Sequence, residues 1–460
     1  MKRITIFLLG LLIQISLYSQ SHNDYLGPNA VAGGADRALT GILIIVGLIL
    51  VGIILILFVG GFYKIYNGIK NFTTLPIQSY NEDFSNNTFQ KANQKKPVVN
   101  NSIYVKTNDI LNEDSNFIEN IKNDYQLSKV SSEDLENKNI DWGVDVNKTH
   151  DEYDRGDAWY SRDGKKFLEF EYKLKRYKIR DGVEVICDNS FCYGCGDKEI
   201  TLPESVKVIG DFIFWESYLG NFTIPTSVKK ITGNPFVSCE VNLICKSKEF
   251  CVENGVLYNK DKTIIISVLY DLNFLLNKST LTFPISIRAI GRHAFSGISC
   301  GKVIIPPNVV FIGEKAFYST IINEVIFNDK LIEIENNAFN HSYFKKIELP
   351  DSVLKIGISA FEYCERLEYV KLSSSLIAIE ESTFYHCDNL KQIDISEGLN
   401  IIKKKAFAFC KNLTEINLPD SLEKIEKDAF MYCGLKTIII PKNTIIEEGA
   451  FRGEVTIIRR

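Results

Sequence analysis

The residues closest to a reactive site in this sequence are cysteines at short spacing. Cys192 and Cys195 form a CxxC motif, and Cys187 lies a few residues upstream. Thiols at this spacing bind zinc or cycle between dithiol and disulfide, although the sequence has no second pair at metal-ligand spacing. One hypothesis is therefore a metal- or redox-dependent sensor or enzyme that uses Cys187, Cys192 and Cys195.

Motifs for other kinds of catalysis are missing from the sequence. The histidines occur without an HExxH helix, and there is no G-x-S-x-G elbow. The segment 255–263 superficially resembles a phosphate-binding loop, but Asp261 stands where a glycine must precede Lys262 to let backbone N–H groups cradle a phosphate. We predict a protein that is not an enzyme and that has no cofactor.

Most of the other cysteines belong to a repeat. The stretches "IGISAFEYCERL", "IEESTFYHCDNL" and "IKKKAFAFCKNL" begin at positions 356, 379 and 402. Each places a phenylalanine three residues before a cysteine, and Cys364, Cys387 and Cys410 follow one another at intervals of 23 residues. The phenylalanine column extends through these positions: Phe191, Phe214, Phe236, Phe295, Phe317, Phe339, Phe361, Phe384, Phe407, Phe430 and Phe451.

Self-similarity at this period predicts a solenoid, because one coil cannot bury its own apolar side but a stack of coils can. The alternation in Val370-Lys371-Leu372 predicts a short strand in each coil, and the stacked strands form a parallel sheet. We expect the phenylalanines to stack along the opposite wall. The cysteines beside them are then reduced thiols of the core.

The stretch "LTEINLPDSLEKIEKDAFMYC" resembles the BspA-type leucine-rich repeat, and the resemblance covers residues 158–460. It implies a leucine-rich repeat solenoid with short parallel strands, with hairpin units near 158–180 and 250–285. It also implies a bacterial protein with an adhesin-like role at the cell surface, in contact with matrix or host proteins.

A solenoid offers an extended surface, so the main functional hypothesis is an interaction or adhesion module for a protein or a glycan. Side chains that point outward from the strands are the candidate contacts. They are Glu348, Lys371, Asp394 and Asn417, flanked by Tyr369 and Gln392. The formal net charge of −4 gives no basic field, so we predict no nucleic-acid partner.

The N-terminal part has the pattern of a membrane-anchored protein. Residues 1–20 read as a signal peptide, with Lys2 and Arg3 before an apolar run, and cleavage is expected after Ser19. Residues 38–63 are uncharged, and as a helix they would exceed the roughly 30 Å hydrocarbon core of a bilayer. We predict a single transmembrane helix there, in contact with lipid.

Residues 64–157 read as a polar, partly disordered linker with one helix around 115–137. Lysines follow the apolar segment more often than they precede it, which predicts that the repeats face the cytoplasm. The family resemblance implies the cell surface instead, and both localisations stay open at this point.

Overall fold

Longer and shorter strands alternate along the repeats, and each strand pairs with the equivalent strand of a neighbouring coil. The computed structural model describes residues 101–136, 138–142, 157–170, 176–191, 199–215, 217–269, 280–281 and 283–460. Within these residues no helix is both long and apolar enough to cross a membrane. The expected signal peptide (1–20) and transmembrane helix (38–63) lie outside the described residues and stay predictions.

The described part contains two helices, α1 (Asn101–Asp124) and α2 (Ser132–Glu136). The strands are β1 Asn139–Trp142, β2 Asp157–Tyr160, β3 Lys166–Phe170, β4 Arg176–Lys178, β5 Val185–Ile186, β6 Glu199–Thr201, β7 Val208–Ile209, β8 Tyr218–Ile224, β9 Lys230–Ile231, β10 Glu240–Cys245, β11 Phe250–Glu253, β12 Val256–Asn259, β13 Ile264–Val268, β14 Thr280–Leu281, β15 Ala289–Ile290, β16 Ser299–Ile304, β17 Phe311–Ile312, β18 Ile321–Ile326, β19 Glu333–Ile334, β20 Lys346–Glu348, β21 Lys355–Ile356, β22 Tyr369–Lys371, β23 Ala378–Ile379, β24 Gln392–Asp394, β25 Ile401–Ile402, β26 Lys424–Ile425, β27 Phe430–Met431, β28 Thr437–Ile440, β29 Ile445–Ile446, β30 Phe451–Arg452 and β31 Thr456–Arg459.

The strands expected from the alternating pattern form one column, which we call the long ladder. Its parallel pairs include β16 with β18, β20 with β22, and β22 with β24. Val370 and Ile393 point inward and are buried, whereas the residues on either side of them are more exposed. The predicted strand at 416–418 is not assigned as a strand, although Leu418 is buried as expected.

A second column, the short ladder, consists mostly of two-residue strands and was not predicted from the sequence. Its sheets have the orders β1-β2-β3-β5-β7-β9, β11-β12-β13-β15-β17-β19-β21 and β23-β25-β26-β29. Each coil contributes an inward isoleucine at this point, such as Ile312, Ile334 or Ile356. Two residues are too few to show a period of two, which explains why the pattern escaped sequence reasoning.

The first two sheets of the short ladder begin with antiparallel hairpins. Strands β2 and β3 pair across a turn at Gly164, whose φ of +72° is left-handed, and β12 pairs in the same way with β13. These hairpins lie where the sequence places its longer units. Strand β1 adds to the outer side of β2 in antiparallel fashion.

The phenylalanine column forms the wall opposite the ladders, as predicted. Neighbouring rings have centroids 4.7 to 6.0 Å apart and interplanar angles of 3 to 25°. From Phe295 onward, the backbone turns on both sides of each ring. Around Phe361, for example, Ser359 and Tyr363 both have a φ of +55°.

Helix α1 differs from the expectation of a helix around 115–137 within a flexible linker. It spans Asn101–Asp124 and packs on the outside of the short ladder. Ile118, Ile121 and Tyr125 are buried against Ala289, Val310 and Phe311. The sequence gives this helix a weak apolar stripe, so its partner surface on the repeats supplies much of its stability.

Candidate interaction surfaces

The outward side of the long ladder at β20, β22 and β24, which we call the strand face, brings most of the predicted binding residues together. Tyr369 lies beside Gln392 in the register of β22 and β24, and Lys371 lies beside Asp394. Glu348 of β20 lies beside Lys371 on its other side. Asn417 is exposed one coil further on, outside any strand.

Asp394 is the centre of a hydrogen-bonded cluster on the strand face. The Tyr369 hydroxyl donates to Asp394 Oδ2 at 2.6 Å, and the Gln392 amide donates to Asp394 Oδ1 at 2.9 Å. These bonds lower the pKa of Asp394, and the hydrogen bond to its carboxylate raises the pKa of Tyr369 to about 12. The tyrosine is therefore a fixed neutral donor at neutral pH.

The cluster is bordered by cations held over aromatic rings. Lys346 Nζ lies 5.2 Å from the Tyr369 ring centroid and 2.8 Å from a Glu348 carboxylate oxygen. The Arg366 guanidinium lies 5.5 Å from the ring of Tyr343, which is 43% exposed. An exposed surface that combines tyrosine, arginine and ordered polar groups has the composition of a protein-binding surface.

The strand face continues toward earlier coils as an apolar patch that sequence reasoning missed. Ile304 and Ile326 are exposed neighbours in the register of β16 and β18, and Ile321 is 53% exposed. The signal was available in the sequence, because apolar residues in outward positions of an alternating strand depart from the polar side chains expected there.

Of the three cysteines in the metal or redox hypothesis, one lies in the described part of the structure. Cys187 is buried, and its burial raises the pKa of the thiol to about 12, which keeps it protonated and weakly reactive. Cys192 and Cys195 lie outside the described residues. In the part of the chain that the structure describes, no group of three or more His, Cys, Asp or Glu side chains is arranged to hold a metal ion.

The phenylalanine wall also carries a second row of rings, not predicted from the sequence, which lies two residues after each of five successive phenylalanines. We call it the aromatic ladder: His341, Tyr363, His386, Phe409 and Tyr432. His341 and His386 are thus separated members of a stack. The sequence does contain a signal for this row, because its aromatic residues recur at a constant offset of two residues from the phenylalanine column.

A cleft of about 360 Å³ lies where the first sheet of the short ladder meets the second. Ile121 of helix α1, Tyr125 just after the helix, and Arg292 are among the residues that line it. Its charged rim is mostly paired, since Lys230 contacts Asp124 at 2.6 Å and Lys229 contacts Glu249 at 3.5 Å. This pairing leaves the cleft without a strong preference for a ligand charge.

Comparison with known proteins identifies the repeats. Among solved structures, the fold is similar to that of a leucine-rich repeat protein from Eubacterium ventriosum, with 20% identity, a TM-score of 0.44, and coverage of 65% of this chain and 92% of that chain. A leucine rich cell surface protein from Faecalibacterium prausnitzii is 27% identical, with a TM-score of 0.41, and the match covers 49% of this chain and 60% of that one. The pneumococcal vaccine antigen PcpA is 18% identical, with a TM-score of 0.42 and coverage of 65% and 72%.

No curated protein sequence matches the chain. The family model described as BspA type leucine rich repeat region matches in six copies, over residues 164–259, 274–343 and 332–458. These matches span more than half of the chain and coincide with the stacked coils. The protein belongs to the BspA type leucine-rich repeat family.

Proposed function

We propose that this protein is an interaction module whose strand face binds a protein partner, with no catalytic role. Repeats of this family generally serve protein interaction or adhesion. The observation that supports the strand face is its ordered cluster of Tyr369, Gln392 and Asp394, next to exposed isoleucines on the same ladder. A rigid polar cluster beside an apolar patch fits a protein surface, because the polar groups set the register while the apolar groups supply affinity.

The proposal includes the membrane anchor expected from the sequence. A transmembrane helix at 38–63 would tether the repeats to a bilayer. The flanking lysines support the cytoplasmic side, and the family supports the cell surface. In either location the strand face would be available to a protein partner.

The test exchanges two neighbouring charges on the strand face. In the double variant Lys371→Glu/Asp394→Lys the net charge is unchanged, but the Tyr369 and Gln392 donors lose their carboxylate acceptor. We expect partners that co-purify with the tagged full-length protein from its own cells to be depleted about tenfold or more. This corresponds to a loss of at least about 1.4 kcal/mol of binding free energy.

The matched control exchanges an ion pair on the short ladder. Lys424 and Glu447 lie 2.6 Å apart and are similarly exposed, so Lys424→Glu/Glu447→Lys makes the same chemical change on a different surface. We expect this control to retain the partners. Equal recovery of the same partners with both double variants would show that the strand face is the wrong surface.

A further inference from the structure

The aromatic ladder is a continuous row of rings on the outside of the phenylalanine wall, and its first four members are stacked. His341 and Tyr363 have centroids 4.6 Å apart and an interplanar angle of 3°, and Tyr363 and His386 are 5.0 Å apart at 9°. His386 and Phe409 are 4.3 Å apart at 7°, and Tyr432 ends the row 5.2 Å from Phe409, tilted by 48°. Unlike the buried phenylalanines, all five residues of the row are half-buried or exposed.

The fold does not require aromatic rings at these positions. Each residue of the aromatic ladder has a left-handed backbone with φ between +53 and +64°, a conformation that glycine adopts most easily. The same position of the repeat is Gly297 in an earlier coil and Gly453 in the last one. Five successive coils thus carry large rings where the backbone favours glycine, and such strain is typical of functional surfaces.

A polar row runs beside the aromatic ladder. Asp388 accepts a hydrogen bond from Lys411 at 2.6 Å and lies 3.2 Å from His386 Nδ1. The Asn412 amide donates to the Asn389 side chain at 3.0 Å. These groups combine donors and acceptors with little net charge, which suits a ligand rich in hydroxyl groups and without charge of its own.

The geometry of the rings narrows the class of ligand. Stacked rings cover one another's faces, so the aromatic ladder presents ring edges to a ligand and cannot take up nucleic-acid bases between its stacked members. Tyr385 stands across the row, at 86° to Tyr363 and 82° to Phe409, so that its plane lies along the axis of the stack. Neighbouring members of the aromatic ladder have centroids 4.3 to 5.2 Å apart, and this spacing is close to the length of one pyranose unit.

From these observations we propose that the aromatic ladder and the polar row beside it bind a neutral polysaccharide, whose extended chain of hexose units lies along the solenoid axis. Successive sugar rings would contact successive coils, with apolar contact to the ring edges of the ladder and to Tyr385, and with hydroxyl groups bound by His386, Asp388 and Asn389. This surface lies on a different wall from the strand face, so its function is independent of the protein partner proposed above.

The test is native affinity electrophoresis of the full-length protein in gels that contain hydroxyethyl cellulose, barley β-glucan or galactomannan, with polygalacturonate as the anionic control. We expect retardation by at least one neutral polysaccharide and no retardation by polygalacturonate. The double variant Tyr363→Gly/Phe409→Gly, which keeps a residue suited to the left-handed backbone, should bind about tenfold more weakly or worse. The strand-face variant Tyr369→Ala should be retarded like the wild type.

A second variant separates binding from folding. His386→Phe retains the stack, since Phe409 occupies the same position one coil later, but removes the polar ring nitrogens. We expect an unchanged unfolding midpoint and weaker retardation. Absence of retardation in all three neutral gels, retardation in polygalacturonate alone, or retardation of His386→Phe equal to the wild type would each overturn the proposal.

Discussion

At the scale of single residues, the cysteines of the repeat are hydrogen-bond donors as well as small core residues. The thiols of Cys364, Cys387 and Cys410 lie 3.2, 3.2 and 3.1 Å from backbone carbonyl oxygens of phenylalanines in the preceding coil. Ser342 occupies the same position one coil earlier, and its hydroxyl donates to the Phe317 carbonyl at 2.8 Å. The wall is therefore held by a row of short donors in addition to its stacked rings.

A serine at position 387 should consequently be tolerated. We expect Cys387→Ser to change the free energy of unfolding by no more than about 1 kcal/mol, because the hydroxyl can make the bond that Ser342 makes. Cys387→Ala, which removes the donor and leaves a small cavity, should be less stable than Cys387→Ser in urea denaturation. If alanine were as stable as serine, the bond to the Phe361 carbonyl would contribute nothing measurable.

At the scale of elements, the parts of the fold that recur with a regular period could be predicted from the sequence. The strands of the long ladder and the phenylalanine wall were predictable because Val370, Ile393 and Phe384 recur at fixed offsets between polar residues. The ordered cluster around Asp394 was predictable as a set of outward positions, but its hydrogen bonds depend on the register of β22 and β24. That register becomes visible when the coils are stacked.

Helix α1 was harder to predict because its stability comes from residues far away in the sequence. Lys122 contacts Glu333 at 2.9 Å and Glu335 at 2.8 Å, and Arg288 contacts Asp114 at 2.6 Å. These partners are more than 150 residues from the helix, and no local pattern shows them. Gly313 assists the docking, since a Cβ at that position would lie 2.8 Å from the Tyr125 hydroxyl.

The docking of α1 should weaken in acid. Burial by itself would raise the pKa of Glu333, but Lys355 and Lys122 outweigh it and hold the pKa below the ordinary glutamate value of 4.5. A carboxylate with a lowered pKa stabilises the folded state above about pH 4.5, and this contribution is lost as the pH falls through the folded-state pKa.

The measurement compares the wild type with Lys122→Met, which keeps most of the apolar stem and removes the charge. We expect the wild type to have the higher free energy of unfolding at pH 7, and the difference between the two proteins to shrink as the pH falls below 4.5. A difference that is constant from pH 7 to pH 3 would show that the ion pairs of Lys122 do not hold the helix.

At the scale of the whole repeat array, a buried ionic network joins two sets of coils. The first sheet of the short ladder ends at β9 and the second begins at β11, so the ladder is interrupted there. Arg292, from beyond the interruption, lies 3.2 Å from Asp211 and 3.4 Å from Asp188, which belong to earlier coils. His293 lies 2.7 Å from the same Asp211 carboxylate.

Removal of Arg292 should uncouple the two sets of coils. Repeat proteins are stabilised by contacts between neighbouring coils, so a weakened junction lets each side unfold separately. We expect Arg292→Ala to cost about 3 to 5 kcal/mol, because it removes the buried guanidinium that contacts both Asp188 and Asp211, and to divide the denaturation curve into two steps.

As a control, Lys411→Ala removes the cation of an exposed pair and should cost no more than about 1 kcal/mol. Tryptophan fluorescence follows the part of the chain before the junction, because Trp142, Trp159 and Trp215 all precede it. Far-UV circular dichroism follows the whole array. Coincident single transitions in Arg292→Ala would mean that the coils remain coupled by other contacts.

The position of α1 also determines where a pulling force enters the repeats. The helix contacts coils in the middle of the array, around Phe311, before the chain runs back through Ser128 to Asp188 and on to β2 in the first coil. Tension on the chain ahead of α1 would therefore be carried first by Lys122, Arg288 and the apolar contacts of the helix, in shear across the short ladder. The first coils would bear that tension after α1 had detached, so the docked helix protects the end of the solenoid from being pulled open.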